Sequence, residues 1–190
     1  MNRSPFLVVA MLVAGSVGCD LVTLDGPIGD PLMETEKATF VGRWINDASD
    51  VFELRLTNDQ KLVMGSISWD DDRQQHRAAN SVIDARKVGE AIYFLAHEDP
   101  QDIGFVRIIR EPELNGQTQF KMLVPDAAKF RTAVEAGKLA GNVLPRKNSN
   151  YTVRIYADSP LTEPVFSSEA YSDWYLVKDA LTFRRIKRFD

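Results

Sequence analysis

The residues able to do chemistry are few. The chain has two histidines, His76 and His97, and a single cysteine, Cys19. Neither histidine has a His or Cys neighbour at metal-ligand spacing, so the nitrogen and sulfur sites favoured by zinc or copper lack a donor set. Asp70-Asp71-Asp72 offers carboxylate oxygens of the kind calcium takes. Successive residues of a strand or turn point in different directions, however, and the regular Asp/Gly loop spacing is absent. The triplet reads as a solvated turn, and no metal or cofactor is expected.

A serine nucleophile needs a base and an oxyanion hole. Met64-Gly65-Ser66-Ile67 is not Gly-x-Ser-x-Gly, so the strand-to-helix elbow is missing. His97-Glu98-Asp99 sets a base beside acids, but before Pro100 it reads as a strand end entering a loop. A carboxylate pair for glycoside chemistry forms in space, and 27 acidic residues give the sequence no means of choosing one. Phosphate-cradling glycine loops and dinucleotide fingerprints are absent. A net charge of −4 gives no electrostatic reason to bind nucleic acid. The expectation is a non-enzymatic protein, with a hydrolase using His97 or a carboxylate pair as the alternative.

The elements that would position these residues are mostly strands. Thr39 to Trp44 leads into Phe52-Glu53-Leu54-Arg55-Leu56, which alternates apolar and charged as a half-buried strand does. Asn58-Asp59 marks a turn, and Lys61 to Trp69 reads as the next strand. Asn80 to Ala85 and Ala91 to Ala96 pair around Val88-Gly89-Glu90. Phe105 to Arg110 and Thr118 to Val124 flank Asn115-Gly116, the strongest hairpin signal in the chain. Asp126 caps a helix from Ala127 to Ala136 that stops at Gly137. Tyr151 to Tyr156 is again a strand, Asp158-Ser159-Pro160 looks like a helix start, and Leu181 to Ile186 closes the chain. The expected fold is mainly β with minor α: an antiparallel barrel or half-barrel of about seven to nine strands with one or two short helices late in the chain.

The first residues say where the chain goes. Met1-Asn2-Arg3 is followed by an apolar run from Pro5 to Val13 and then by small residues, the build of a secretory signal. The run is too short to span a membrane comfortably. Ser16-Val17-Gly18-Cys19 resembles the lipobox of bacterial lipoproteins, in which the signal is cut before a cysteine that receives a diacylglycerol. Val17 and Gly18 fit that pattern, while Ser16 stands where the family prefers Leu. Ala14-Gly15-Ser16 also resembles the exit of an ordinary signal peptidase. The resemblance implies a signal peptide at 1–18, a lipidated tether at 19–37 and one β-rich domain at 38–190. It also implies a membrane partner reached through the lipid on Cys19 and a place in the cell envelope, inner or outer membrane left open. Acyl chains contribute about 0.8 kcal/mol per buried CH₂, and two or more make attachment stable. Gly26, Pro27, Gly29 and Pro31 oppose regular structure, which supports the tether.

Gly42-Arg43-Trp44 resembles the Gly-x-Trp that opens the first strand of lipocalins and lipocalin-like lipoproteins. In that family the Trp plugs one barrel end and stacks against a late Arg, a role the resemblance assigns here to Arg184 or Arg185. A barrel mouth for a small apolar ligand would be lined by Gly65, Ser66 and Ser68, which alternation places on both faces. The function this implies is a non-enzymatic envelope lipoprotein that binds a small apolar ligand or an envelope protein. The alternative is an assembly or scaffold lipoprotein with a filled core. That alternative expects an exposed aromatic patch near Tyr171, Trp174 and Tyr175. The basic run Arg184 to Arg188 reads as edge protection, or as a contact with acidic headgroups or an acidic partner.

Overall fold

The structure is a computed structural model, and it describes residues 20–47, 50–70, 74–99 and 102–186. Cys19, Asp71, Asp72, Lys187 and Arg188 lie outside them, so the expectations resting on those positions are not addressed by the fold. Twelve strands form one sheet. They are β1 (Leu21–Leu24), β2 (Asp30–Pro31), β3 (Gly42–Asn46), β4 (Val51–Leu56), β5 (Leu62–Asp70) and β6 (Gln75–Val88). After them come β7 (Ala91–Asp99), β8 (Asp102–Leu114), β9 (Gln117–Leu123), β10 (Gly141–Pro145), β11 (Tyr151–Ile155) and β12 (Leu181–Arg185). The helices are α1 (Glu34–Ala38), α2 (Ala127–Glu135) and α3 (Glu163–Ser167).

The strands β3 to β9 run as an antiparallel meander, and β12 returns to lie between β9 and β3. A second edge between β8 and β9 shuts the ring, giving a closed eight-stranded antiparallel barrel of lipocalin-like form. The turn chemistry drives this order. Asn115 and Gly116 both have positive φ, 54° and 69°, the conformation a two-residue hairpin demands. Gly89, at φ 58°, turns β6 into β7. Alternation then aims Trp44, Phe52, Leu54, Leu62, Met64, Phe94, Phe120 and Phe183 into the ring.

The side sheet explains the rest. Strand β8 is longer than the barrel needs. Its second half pairs with β9, while Ile103 and Gly104 pair with β1. The strand β1 runs parallel to β11, which pairs with β10. The side sheet and α2 enclose a second core against the outer faces of β7 and β8, built on Leu24, Tyr93, Phe105, Phe130, Val153 and Phe166. Asp126 caps α2 by accepting from the amides of Ala128 and Lys129, as its sequence position requires. The second helix begins later than Asp158-Ser159-Pro160 suggests. Those residues make a turn closed by the Thr162 amide on the Ser159 carbonyl, and α3 starts at Glu163 with Pro164 in its first turn, where no amide donor is needed.

The segment 19–37 is not a free tether in its described part. Leu21–Leu24 is a strand of the side sheet, and Ile28 and Leu32 are buried. Asp30 and Pro31 pair with β6, and the chain then crosses one barrel mouth through α1 to Phe40. The Phe40 ring meets Phe94 at 5.1 Å and Phe120 at 5.7 Å inside the ring. Glycine and proline shape the bends here, and the apolar residues between them decide that the segment packs.

One polar knot joins the side sheet to the barrel strand β8. Asp102 on β8 takes two bonds from Arg154 on β11, at 2.9 and 2.7 Å, and one from the Thr23 hydroxyl on β1, at 3.0 Å. Asp102→Ala leaves Arg154 and Thr23 to repartner at the seam. It should lower unfolding free energy by about 1–2 kcal/mol in a denaturant titration. An unchanged midpoint would show that the knot contributes nothing to holding the side sheet on the barrel.

Candidate functional site

The Gly42-Arg43-Trp44 motif opens β3, and register sets Trp44 directly opposite Arg185 of β12. The Arg185 guanidinium lies over the Trp44 ring at 5.5 Å from its centre and also donates to the Val41 carbonyl. Trp44 is 1% exposed and donates its indole N–H to the Phe40 carbonyl at 2.8 Å. Gly42 has φ +145°, and a Cβ there would stand 2.9 Å from Arg185 Nε, so the guanidinium occupies the space a side chain would take. Arg184 points the other way and pairs with Asp47 on the surface. This cluster ties β12 to Trp44 and to the turn before β3.

Beside it the interior holds a run of rings. Trp44 meets Phe120 edge-on at 4.6 Å, Phe120 stacks on Phe183 at 5.0 Å, and Phe183 meets Phe52 at 5.3 Å. Of the residues expected to line a ligand cavity, Ser66 shares the inward face with Leu62 and Met64. Gly65 faces outward, in a row with Glu53 and Asn80. Ser68 is placed by its backbone opposite Arg77. Gly65 and Ser66 therefore do not line one interior pocket, but both border a groove on the outer wall of β3 to β6.

His97 sits on the outer wall of β7. Its Nε2 is 3.2 Å from Asp84 Oδ2, the same oxygen that takes Arg86 Nε at 2.8 Å. The ring is 41% exposed, and among the described residues no serine or threonine hydroxyl bonds to it. Among the described residues no group of three His, Cys, Asp or Glu side chains is placed to hold a metal ion.

The feature that sequence reading missed is Arg107. It is 5% exposed, yet no described carboxylate pairs with it. Its Nη1 donates to the Ser168 carbonyl at 2.6 Å, its Nε has no partner, and its guanidinium lies 5.3 Å from the Tyr171 ring and 6.0 Å from those of Tyr93 and Tyr175. Tyr93 donates to the Phe166 carbonyl at 2.6 Å, and Tyr175 to the Tyr93 hydroxyl at 3.4 Å. The aromatic C-terminal third is thus a clamp around a buried cation. Of the aromatic residues expected to form an exposed patch near Tyr171 to Tyr175, Tyr175 is buried while Tyr171 and Trp174 are half-buried. A signal was present: Arg107 is the lone cation within Phe105-Val106-Arg107-Ile108-Ile109, and such a run reads as a strand buried on both faces.

The geometry defines a lipocalin-like barrel with a packed side sheet. Compared with known protein families, with curated proteins and with solved structures, the chain matches none.

Two outcomes follow from these clusters. Gly42→Ala forces a side chain into the Arg185 guanidinium at a backbone angle that L residues avoid. It should cost about 1–3 kcal/mol and change the emission of buried Trp44; an unaltered melt would mean Arg185 is not needed over the ring. Burial holds the Tyr175 hydroxyl proton well above the usual tyrosine range, and burial raises Tyr93 despite the opposing charge of Arg107. The folded state then binds more protons than the unfolded state once pH exceeds about 10, so stability is full below that value and falls above it. Tyr175→Phe should flatten this alkaline loss; an equally steep loss in the variant would place its origin elsewhere.

Proposed function

We propose that this protein is a non-enzymatic lipoprotein of a bacterial cell envelope, held to a membrane by acyl chains on Cys19. It acts through its surface on an envelope protein, with the barrel as a filled scaffold. The observation that carries the surface reading is the stack of Trp44, Phe120, Phe183 and Phe52 along the barrel interior, where a carrier would keep space. The anchor is supported by the leader, by the lipobox-like Ser16-Val17-Gly18-Cys19 and by the only cysteine falling where the lipid chemistry needs it. Asp20, one peptide bond further on, accepts from the Tyr151 amide at 3.0 Å, so the described chain joins the side sheet at once. An anchored domain of this build stays close to the membrane.

Intact mass of the membrane-extracted protein, beside a Cys19→Ala form, tests both halves. The expected result is residues 19–190 plus acyl chains, lost in the variant, with no small molecule retained under gentle ionisation. An unacylated chain cut near Ser16 would sink the anchor. A stoichiometric apolar ligand carried through extraction would sink the filled-scaffold reading.

A further inference from the structure

The outer wall of β3 to β6 carries an ordered array of side chains. Register aligns Arg43, Glu53, Gly65 and Asn80 in one row across the four strands. Val51, Ile67 and Ala78 form the row on one side, and Arg55, Val63 and Val82 the row on the other. Gly65 leaves the middle row without a side chain, and the wall sinks there into a groove of about 710 Å³. Val51, Ile67 and Val82 are 41%, 61% and 56% exposed, so the rows beside the gap present contiguous apolar surface. The charge is unbalanced. Arg55 Nη2 lies 2.8 Å and Arg43 Nε 3.7 Å from the two oxygens of one carboxylate, Glu53, and both arginines are about two-thirds exposed. Two guanidinium groups share one anion, which leaves a positive charge beside an apolar gap.

This form selects the occupant. The groove is shallow and open along its length. Small-molecule sites bury roughly 70–90% of their ligand, which an open groove does not do, whereas a partner protein covers it with its own surface. Across the groove floor the four strands are paired with one another, so a segment lying on the Gly65 gap meets side chains and not a strand edge. We propose that this groove docks a segment of an envelope protein that inserts one large apolar side chain into the Gly65 gap and presents a neighbouring carboxylate to Arg43 and Arg55. The proposal rests on the surface-acting reading given above. It fits the proposed anchor: β1, which follows Cys19 so closely, attaches to β8, and β4 lies four strands from β8 in either direction around the ring. Anchoring leaves the groove wall uncovered.

The test uses the full chain in its own cells with a benzoylphenylalanine photo-crosslinker at Ile67 or, separately, at Leu114, which is exposed at the end of β8. The Ile67 probe should join one envelope protein through a segment holding a large apolar residue next to Asp or Glu. Gly65→Leu fills the gap, and its Cβ meets only the tip of Asn80 at 3.0 Å and the Glu53 carbonyl at 3.9 Å, so the fold accommodates it. Arg55→Glu reverses an exposed charge. Each should cut the adduct at least about tenfold while the melting temperature holds, and a reversed charge on the partner segment should restore the Arg55→Glu adduct. Adducts only to lipid, only to a second copy of this chain, or to a protein indifferent to both substitutions overturn the proposal. Protein adducts from Leu114 but not Ile67 overturn the groove and leave the surface-acting reading standing. No protein adduct from either position overturns both.

Discussion

Everything in this fold depends on β8 being buried on both faces. From Ile103 to Ile108 its side chains alternate between the barrel interior and the second core, and both sides exclude water. A strand in that position cannot carry the polar-out alternation of a free barrel wall, so its sequence is an almost unbroken apolar run. The side sheet exists to cover it. The strands β1, β10 and β11 and helix α2 have no other large apolar surface to face, and without them Phe105, Tyr93 and Leu95 would be exposed as one patch. The barrel in turn needs β8, because its second half pairs with β9 to close the ring. One strand serves as a wall of two cores, and the Asp102 knot sits at its first residue, just before the two that pair with β1.

Arg107 is the cost of this arrangement and also its lock. A cation on the outer face of a doubly buried strand loses its water, and no described carboxylate compensates it. Three tyrosine faces and the Ser168 carbonyl do so instead. Because Tyr171, Tyr175 and Ser168 belong to the insertion between β9 and β12, while Tyr93 is on β7, the guanidinium pins that insertion to the barrel. Arg185 works in a similar way at the start of β3, where one guanidinium covers an indole and ties β12 to the turn before β3. Arginines over aromatic rings, Arg107 buried and Arg185 half-buried, join parts of this protein beside the Asp102–Arg154 ion pair.

The barrel was legible in the sequence because its signals are local. Alternation in Phe52 to Leu56, the Asn115-Gly116 turn, the Asp126 cap and the Gly42-x-Trp44 opening each act within a few residues, and each element formed near its expected bounds. The side sheet was not legible. The strand β1 is four residues long and takes its partners from 80 and 130 residues away, so nothing near it announces pairing. Gly26, Pro27, Gly29 and Pro31 suggested a tether because they punctuate the chain, but punctuation does not separate a free linker from a packed bend. The groove was half legible. Gly65 and Ser66 were singled out as small residues in a strand, yet which face Gly65 serves follows from register across three neighbours, which a single strand does not reveal.

Rings inside the barrel turn the functional question toward the outside. In a barrel that carries cargo, inward side chains stay small so that space remains; here Trp44, Phe52, Phe120 and Phe183 are in edge and stacked contact, and removing one would cost several kcal/mol. The outer wall shows the reverse pattern. A glycine, with no side chain to protect the surface, lies among three exposed branched residues and two arginines that share one glutamate. Solubility favours a large polar residue at such a position, and no turn, bulge or positive φ requires glycine at Gly65. A gap on a wall with no backbone need for it is the space that the proposed docking segment would fill.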